Sequence, residues 1–330
     1  SGGTFVNANN AATTFNGNAG ETYVLRWTIA NGVCTSSTDE VTIRFDQTPS
    51  AAVAGTDIEQ CANGTFTLNA TSPVIGTGVW SVVSGTATIT NVNSFNTSVT
   101  GVPAGTSATL RWTVSNGSCA SNTDDVVLTN RNNPTATLSS SDGDNTICSG
   151  QSVVFTAGGG TSYEFFVSGV SVQNGAGTTY TTSALLNGQV ITVRVTNAFG
   201  CSVLSSGITT TVNPTPVASI VSNDADNTIC AGSSITFTAT PSGASQYDFR
   251  VDGVSMQATA SNVFTSSALS DNDVVDVVIT SGAGCVGTST GLTINVDPAP
   301  TVSNAGPDQL TLCNVTSATL AGNAAVTGTG

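Results

Sequence analysis

The sequence predicts an all-β chain, a tandem array of small β-sandwich domains laid end to end. Three observations carry that expectation. Apolar residues alternate with Arg, Thr or Val through Leu110-Arg111-Trp112-Thr113-Val114, the mark of a half-buried strand. A small-residue turn ending in a cysteine follows, Ser115-Asn116-Gly117-Ser118-Cys119, and then a second alternating run, Asp125-Val126-Val127-Leu128-Thr129. The same unit recurs as Leu25–Cys34, Val193–Cys201 and Val277–Cys285. Finally, Gly, Ser, Thr, Asn, Val and Ala dominate, and no long run rich in Leu, Glu and Lys occurs, which suits short strands and tight turns.

Aligned on the hairpin cysteines, the period is about 80–85 residues, so the 330 residues divide by repeat rather than by length. Residues 1–48 are the back half of one repeat. Complete repeats span 49–133, 134–213 and 214–297, and 298–330 opens another. The junctions contain Pro: Thr48-Pro49, Asn133-Pro134, Asn213-Pro214-Thr215-Pro216 and Asp297-Pro298-Ala299-Pro300. Such junctions restrict the backbone, so the array is expected to be an extended rod.

Two repeat types are present. Type 1 places Ala54-Gly55-Thr56-Asp57 before Cys61 and continues with Gly76-Thr77-Gly78-Val79-Trp80-Ser81-Val82-Val83-Ser84-Gly85. Its first half returns as Ala305-Gly306-Pro307-Asp308 before Cys313, ending in Gly328-Thr329-Gly330, and its second half starts the chain at Ser1-Gly2-Gly3-Thr4. Type 2 carries Thr146-Ile147-Cys148-Ser149-Gly150 or Thr228-Ile229-Cys230-Ala231-Gly232, followed by an aromatic strand with Tyr163 and Phe165, or Tyr247 and Phe249. Each repeat contains about seven strand-like runs, as expected of an immunoglobulin-like sandwich. Trp80 falls where that fold keeps its third-strand tryptophan. Trp27, Trp80 and Trp112, and the alternating aromatics of type 2, are expected in the core. Arg26, Arg111 and Arg194 point to the opposite face and should form local ion pairs.

Charge and composition narrow the function. Six basic residues face twenty acidic ones, for a net charge of −14, with no lysine and no histidine. A polyanion is repelled, which argues against nucleic acid as a partner. Missing histidine removes the commonest general base and zinc ligand, and no catalytic constellation is legible, so no enzyme is expected. No apolar run is long enough to span a membrane and the first residues lack a signal-peptide pattern, so the window reads as interior to something larger. Asp142, Asp144, Asp224 and Asp226 are spaced like oxygen ligands for Ca²⁺, the one candidate cofactor. The competing reading is a turn whose Asp and Asn side chains cap their own backbone.

Eight cysteines occur singly, never as Cys-x-x-Cys, which points to disulfides and an oxidising, extracellular compartment. Two pairings compete. Pairing within repeats joins Cys61 to Cys119, Cys148 to Cys201 and Cys230 to Cys285. In an Ig-like sandwich, however, the turn after the first strand and the turn between the last two strands lie at opposite poles. A strand of about seven residues separates them by roughly 23 Å, whereas a disulfide needs Cα atoms within about 7 Å. End-to-end stacking instead brings Cys61 to Cys201 and Cys148 to Cys285, leaving Cys34, Cys119, Cys230 and Cys313 to partners outside the window. That inter-domain pairing leads, with intra-domain bonds or free thiols as the alternatives.

The strings Ala-Gly-Pro-Asp before a cysteine, Gly-Val-Trp-Ser-Val-Val-Ser-Gly, and Thr-Ile-Cys-Ala-Gly with a later Gly-Cys resemble the PKD-like and Ig-like repeats of giant Bacteroidota cell-surface proteins, including SprB-type gliding-motility adhesins. The resemblance covers the whole chain. It implies type IX secretion, display at the cell surface, and a stalk or filament segment serving gliding or attachment. Expected partners are neighbouring repeats and other copies through lateral association. The alternative function is an array that itself binds extracellular polysaccharide or another surface ligand.

Overall fold

The computed structural model describes residues 2–310 and 313–326, and it is all-β, with no helix among them. The matching string Gly328-Thr329-Gly330 lies outside the described residues, as does Ser1. Buried apolar side chains form three separate cores. One runs from Ala54 to Leu128, one from Ile147 to Val195, and one from Ile220 to Ile294.

In the type 1 repeat, one sheet has the order Ile58–Cys61, Asn122–Arg131, Thr106–Ser115, Thr77–Ser84. Alternation puts Leu110, Trp112 and Val114 inward from the central strand, each at most 1 % exposed. They meet Phe66, Leu68 and Val99 from the facing sheet of Phe66–Asn69, Asn96–Thr100 and Thr88–Ile89. Residues on the opposite face of Thr106–Ser115 stay partly exposed.

Each type 2 repeat packs a three-stranded sheet on a larger one. In the first, Thr137–Ser140, Val153–Gly158 and Thr179–Thr182 face Val170–Gly175, Ser162–Val167, Val190–Thr196 and Ser202–Leu204. Phe155, Phe165, Ile191 and Val193 fill the space between them. Tyr163 and Tyr247 are buried, and their hydroxyls donate to Gly160 O (2.6 Å) and Pro241 O (2.8 Å). Burial without loss of the phenolic hydrogen bond is what makes Tyr tolerable in a core.

A parallel strand pair closes each complete repeat. Ile58–Cys61 runs beside Leu128–Arg131, Thr146–Cys148 beside Thr211–Asn213, and Thr228–Cys230 beside Asn295–Asp297. The Asp just before each of these first-strand segments helps to place it. Asp57 accepts from the Val127 amide at 2.8 Å. Asp144 and Asp226 accept from the amides of Thr146 and Thr228, two residues on. In both type 2 repeats the Asn after that Asp (Asn145 and Asn227) takes a positive φ, 57° and 56°, a conformation that Asn tolerates better than most residues.

Trp27, expected in a core, is 39 % exposed, whereas Trp112 at the matching position is 1 % exposed. The reason is that Thr22–Ile29 pairs only with Ser37–Arg44, so nothing equivalent to the Trp80 strand covers the ring. At the other end, 301–326 has no strand among its described residues but keeps the bonding of 50–74. The Thr71 amide donates to Val53 O and the Asn323 amide to Asn304 O (2.9 and 3.0 Å). The Val74 amide donates to Ser50 Oγ and the Val326 amide to Thr301 Oγ1 (3.1 and 3.0 Å). The two stretches thus share matching hydrogen bonds along their backbone paths.

Candidate functional site

The features that recur along this chain lie at the seams between repeats. Two disulfides cross them. Cys61 bonds to Cys201 with Cα atoms 5.5 Å apart, and Cys148 bonds to Cys285, also at 5.5 Å. The intra-domain alternative is not formed, because Cys119 and Cys230 are unpaired while Cys61, Cys148, Cys201 and Cys285 are taken. The poles explain this. Cys148 sits level with Asn213, where the chain leaves its repeat, and Cys201 sits in the turn that touches Asn132, where the chain enters. Cys34, Cys119, Cys230 and Cys313 have no disulfide partner among the described residues.

The hairpin turn is shaped before it meets its neighbour. Asn197 Oδ1 accepts from the amides of Phe199 and Cys201, both at 3.0 Å, and the Asn197 amide donates to Cys201 O at 2.9 Å. Its Nδ2 is left free to cross the seam and donates to Asn132 O at 2.9 Å. Asn116 does the same one repeat earlier, donating to Gln47 O at 2.7 Å. Gln47 and Asn132 occupy the same position, two residues before the junction proline. The turn asparagine, present in Asn31, Asn116 and Asn197, was the sequence signal for this contact, and sequence reasoning passed over it. A charged contact adds to the second seam. Arg131 pairs with Glu59 at 2.8 Å while its guanidinium lies 4.3 Å from the Phe199 ring centre, within cation–π range.

Just past the third junction a glycine packs closely on the entry segment of its own repeat. A Cβ placed on Gly287 would lie 1.9 Å from Pro216 O, and Gly287 is buried within Val286–Thr288. Gly287→Ala should therefore push the entry segment Pro214-Thr215-Pro216 off its own repeat, at a cost of about 1–3 kcal/mol. A lowered urea midpoint beside an unchanged Gly282→Ala control, where a Cβ meets nothing within 4 Å, checks this.

At the first seam, which has no disulfide among the described residues, Asp46 Oδ2 accepts from the Ser118 amide at 2.7 Å and from Ser118 Oγ at 3.1 Å. Chiefly the Ser118 amide bond, with Arg44 beside it, holds the Asp46 carboxyl below its ordinary value. A depressed folded-state value means that the contact is fully present above about pH 4 and is lost as pH falls through the folded value. Protection of the Ser118 amide from exchange, taken relative to the intrinsic rate at each pH, should accordingly fall only below about pH 4, and should show no such step in Asp46→Asn.

All six arginines are paired: Arg26–Glu40, Arg44–Asp46, Arg111–Asp125, Arg131–Glu59, Arg194–Glu164 and Arg250–Asp276. The Arg111 pair, a two-pronged bond at 2.7 and 2.8 Å, draws the Asp125 carboxyl below its ordinary value. Asp125 and Glu40 are thus ion-paired, and Asp124 accepts from the Ala54 amide at 2.8 Å.

Three of the four candidate calcium residues, Asp144, Asp224 and Asp226, cap their own turns, whereas Asp142 Oδ2 is buried without a hydrogen-bond partner. Asp144 Oδ1 and Asp226 Oδ1 accept from amides two residues on, and Asp224 Oδ1 accepts from the Asp226 amide at 3.3 Å. The Asp142 amide donates to Ser140 Oγ at 3.1 Å. Among the described residues no group of three or more His, Cys, Asp or Glu side chains is placed to hold an ion. Thermal melts with and without a chelator should coincide.

No protein-family model matches this sequence, and no curated protein matches it either. Several solved structures are similar to the chain. A D1–D4 ectodomain fragment of ICAM-5 is 12 % identical, with 83 % of each chain covered and a TM-score of 0.45. A Ca²⁺-stabilised, ice-binding adhesin of an Antarctic bacterium is 16 % identical, covering 84 % of this chain and 82 % of that one at a TM-score of 0.31. Fibronectin(III)-like modules of Clostridium thermocellum CbhA are 15 % identical, covering 49 % and 93 % at 0.32.

Proposed function

We infer that this chain is a non-catalytic stalk segment of a large extracellular surface protein, holding some other functional part away from the cell. The observation that carries this is the repeated seam: the same hairpin turn grips the preceding repeat at Asn116 and Asn197, and disulfides close the second and third junctions. Disulfides also support an oxidising, extracellular location. Chain chemistry is spent on joining one repeat to the next, which is what a spacer requires. The resemblance to repeats of gliding-motility adhesins supports attachment or gliding as the setting and type IX secretion as the route. With an excess of fourteen negative charges, copies repel at low salt, and lateral association belongs to high ionic strength.

The test is binding by the chain itself. Applied to glycan arrays and to abiotic surfaces, it should stay silent, while small-angle scattering at low salt should report an extended monomer. Saturable binding to a polysaccharide would replace the spacer role with that of a binding array.

A further inference from the structure

The two disulfides are interleaved. Along the chain the order is Cys61, Cys148, Cys201, Cys285, and the first bonds to the third while the second bonds to the fourth. They close loops of similar size, 140 and 137 residues, that overlap from Cys148 to Cys201. Nested or successive bonds would each tie off a separate stretch. Interleaved bonds do something different under tension.

Consider the repeat 134–213, which both bonds reach. Cys201 lies at its entry end, because Asn197 of the same turn bonds to Asn132 O. Cys148 lies at its exit end, level with Asn213. A pull arriving through Cys61 therefore enters this repeat at Cys201 and leaves it at Cys148, through Cys285, into the next. Between those two points stand the strands Thr146–Cys148 and Thr211–Asn213, paired in parallel. Drawing Cys201 toward the preceding repeat and Cys148 toward the following one slides these strands past each other lengthwise. Their hydrogen bonds are then loaded together instead of one at a time.

The stretches 62–133 and 214–284 lie off this route. They contain nearly all of the two flanking cores, including Phe66, Trp80, Trp112, Phe237 and Phe249. As long as the middle repeat stays folded, Cys61 and Cys285 are held one repeat apart by covalent bonds, so neither flanking sandwich is stretched.

We propose that the interleaved disulfides form a covalent bypass, in which tension passes from Cys61 to Cys201, across the middle repeat to Cys148, and on to Cys285, leaving the cores of 49–133 and 214–297 unloaded. This rests on bond connectivity and stands whichever of the two roles, spacer or binding array, the chain performs. Each seam disulfide thus shields the body of a neighbouring repeat, so an array of such seams bears force without unfolding repeat by repeat.

Single-molecule extension of the whole chain, held at its two ends, tests the bypass. The shortest covalent path runs from the start to Cys61, across to Cys201, back along the chain to Cys148, across to Cys285 and on to the end. That path is roughly 160 residues, or about 550 Å at ~3.5 Å per residue. With a thiol reductant the limit should rise to about 1,150 Å. Cys148→Ser or Cys201→Ser alone should lengthen the limit by only about 110–120 Å, and the two together by about 600 Å. That strong non-additivity is the signature of interleaving. Single variants whose gains sum to that of the double, or an unreduced chain that extends to about 1,150 Å, would overturn the proposal. The limit is set by covalent connectivity, so it does not depend on how stable a variant's fold is.

Discussion

Replacing Trp112 with Ala is expected to destabilise the repeat 49–133 by about 3–5 kcal/mol, while Trp27→Ala changes stability by no more than about 0.5–1 kcal/mol. The two residues sit in nearly identical strings, Leu-Arg-Trp-Thr-Val and Leu-Arg-Trp-Thr-Ile, so the contrast isolates packing from local sequence. The Trp112 ring is 1 % exposed, lies 5.1 Å from that of Trp80, and presses on Gly78, where a Cβ would meet it at 1.9 Å. Truncation leaves a cavity that the rigid strands on either side cannot close. Trp27 is 39 % exposed over an open groove lined by Phe15, Leu25, Ile43 and Phe45, so its loss removes contacts from one side only. Neither Trp80 Nε1 nor Trp112 Nε1 has a hydrogen-bond partner. Trp80→Phe should therefore cost clearly less than Trp80→Ala, since it removes an unsatisfied buried donor along with part of the ring. Urea denaturation followed by far-UV circular dichroism ranks all four variants.

That contrast also shows what was legible in the sequence. Alternation located the inward faces, and Trp80, Trp112, Phe165 and Phe249 are buried where period two puts them. Alternation is a property of a strand, however, and burial needs a second sheet. For Trp27 the string was right and the covering strand was not there. The parallel pairing of Ile58–Cys61 with Leu128–Arg131 was invisible for a related reason, since partners some seventy residues apart leave no local mark. The recurring Asp before each first cysteine read in type 2 either as a cation ligand or as a cap of its own turn, and had no assigned task in type 1. In the structure it holds backbone amides in both, across the sheet at Asp57 and within the turn at Asp144. Short acidic spacing cannot separate a ligand from a cap, because both depend on an oxygen aimed inward. The cysteines were more informative, because a covalent bond imposes a distance. Once strand order assigns poles, a span of roughly 23 Å against a reach of about 7 Å leaves few ways to pair them. The seam asparagines have no comparable rule: their amides reach only one carbonyl each, and that carbonyl belongs to the preceding repeat.

Reduction should cost this chain more stability than any single side-chain truncation. A cross-link stabilises mainly by limiting the unfolded chain, and loops of 140 and 137 residues are each worth about 5 kcal/mol in the chain-entropy account. Because the loops share the stretch from Cys148 to Cys201, part of the unfolded-state restriction is common to both, and the combined effect falls short of twice that figure. The consequence reaches beyond a lowered midpoint. Unfolding one repeat in the oxidised chain leaves its ends tied to neighbours at Cys61–Cys201 or Cys148–Cys285, so the unfolded repeat gains less entropy while the others stay native. The three cores, separate in their packing, are thereby coupled. Calorimetry should show overlapping transitions at high temperature when oxidised, and resolved, lower transitions after reduction. Cys119→Ser provides the control. Cys119 is unpaired and partly exposed, so the variant should match the parent within about 0.5 kcal/mol, in oxidised and reduced states alike. If instead Cys148→Ser melts like Cys119→Ser, the Cys148–Cys285 bond contributes nothing to stability in solution, and coupling between these repeats rests on the hydrogen-bonded seams alone.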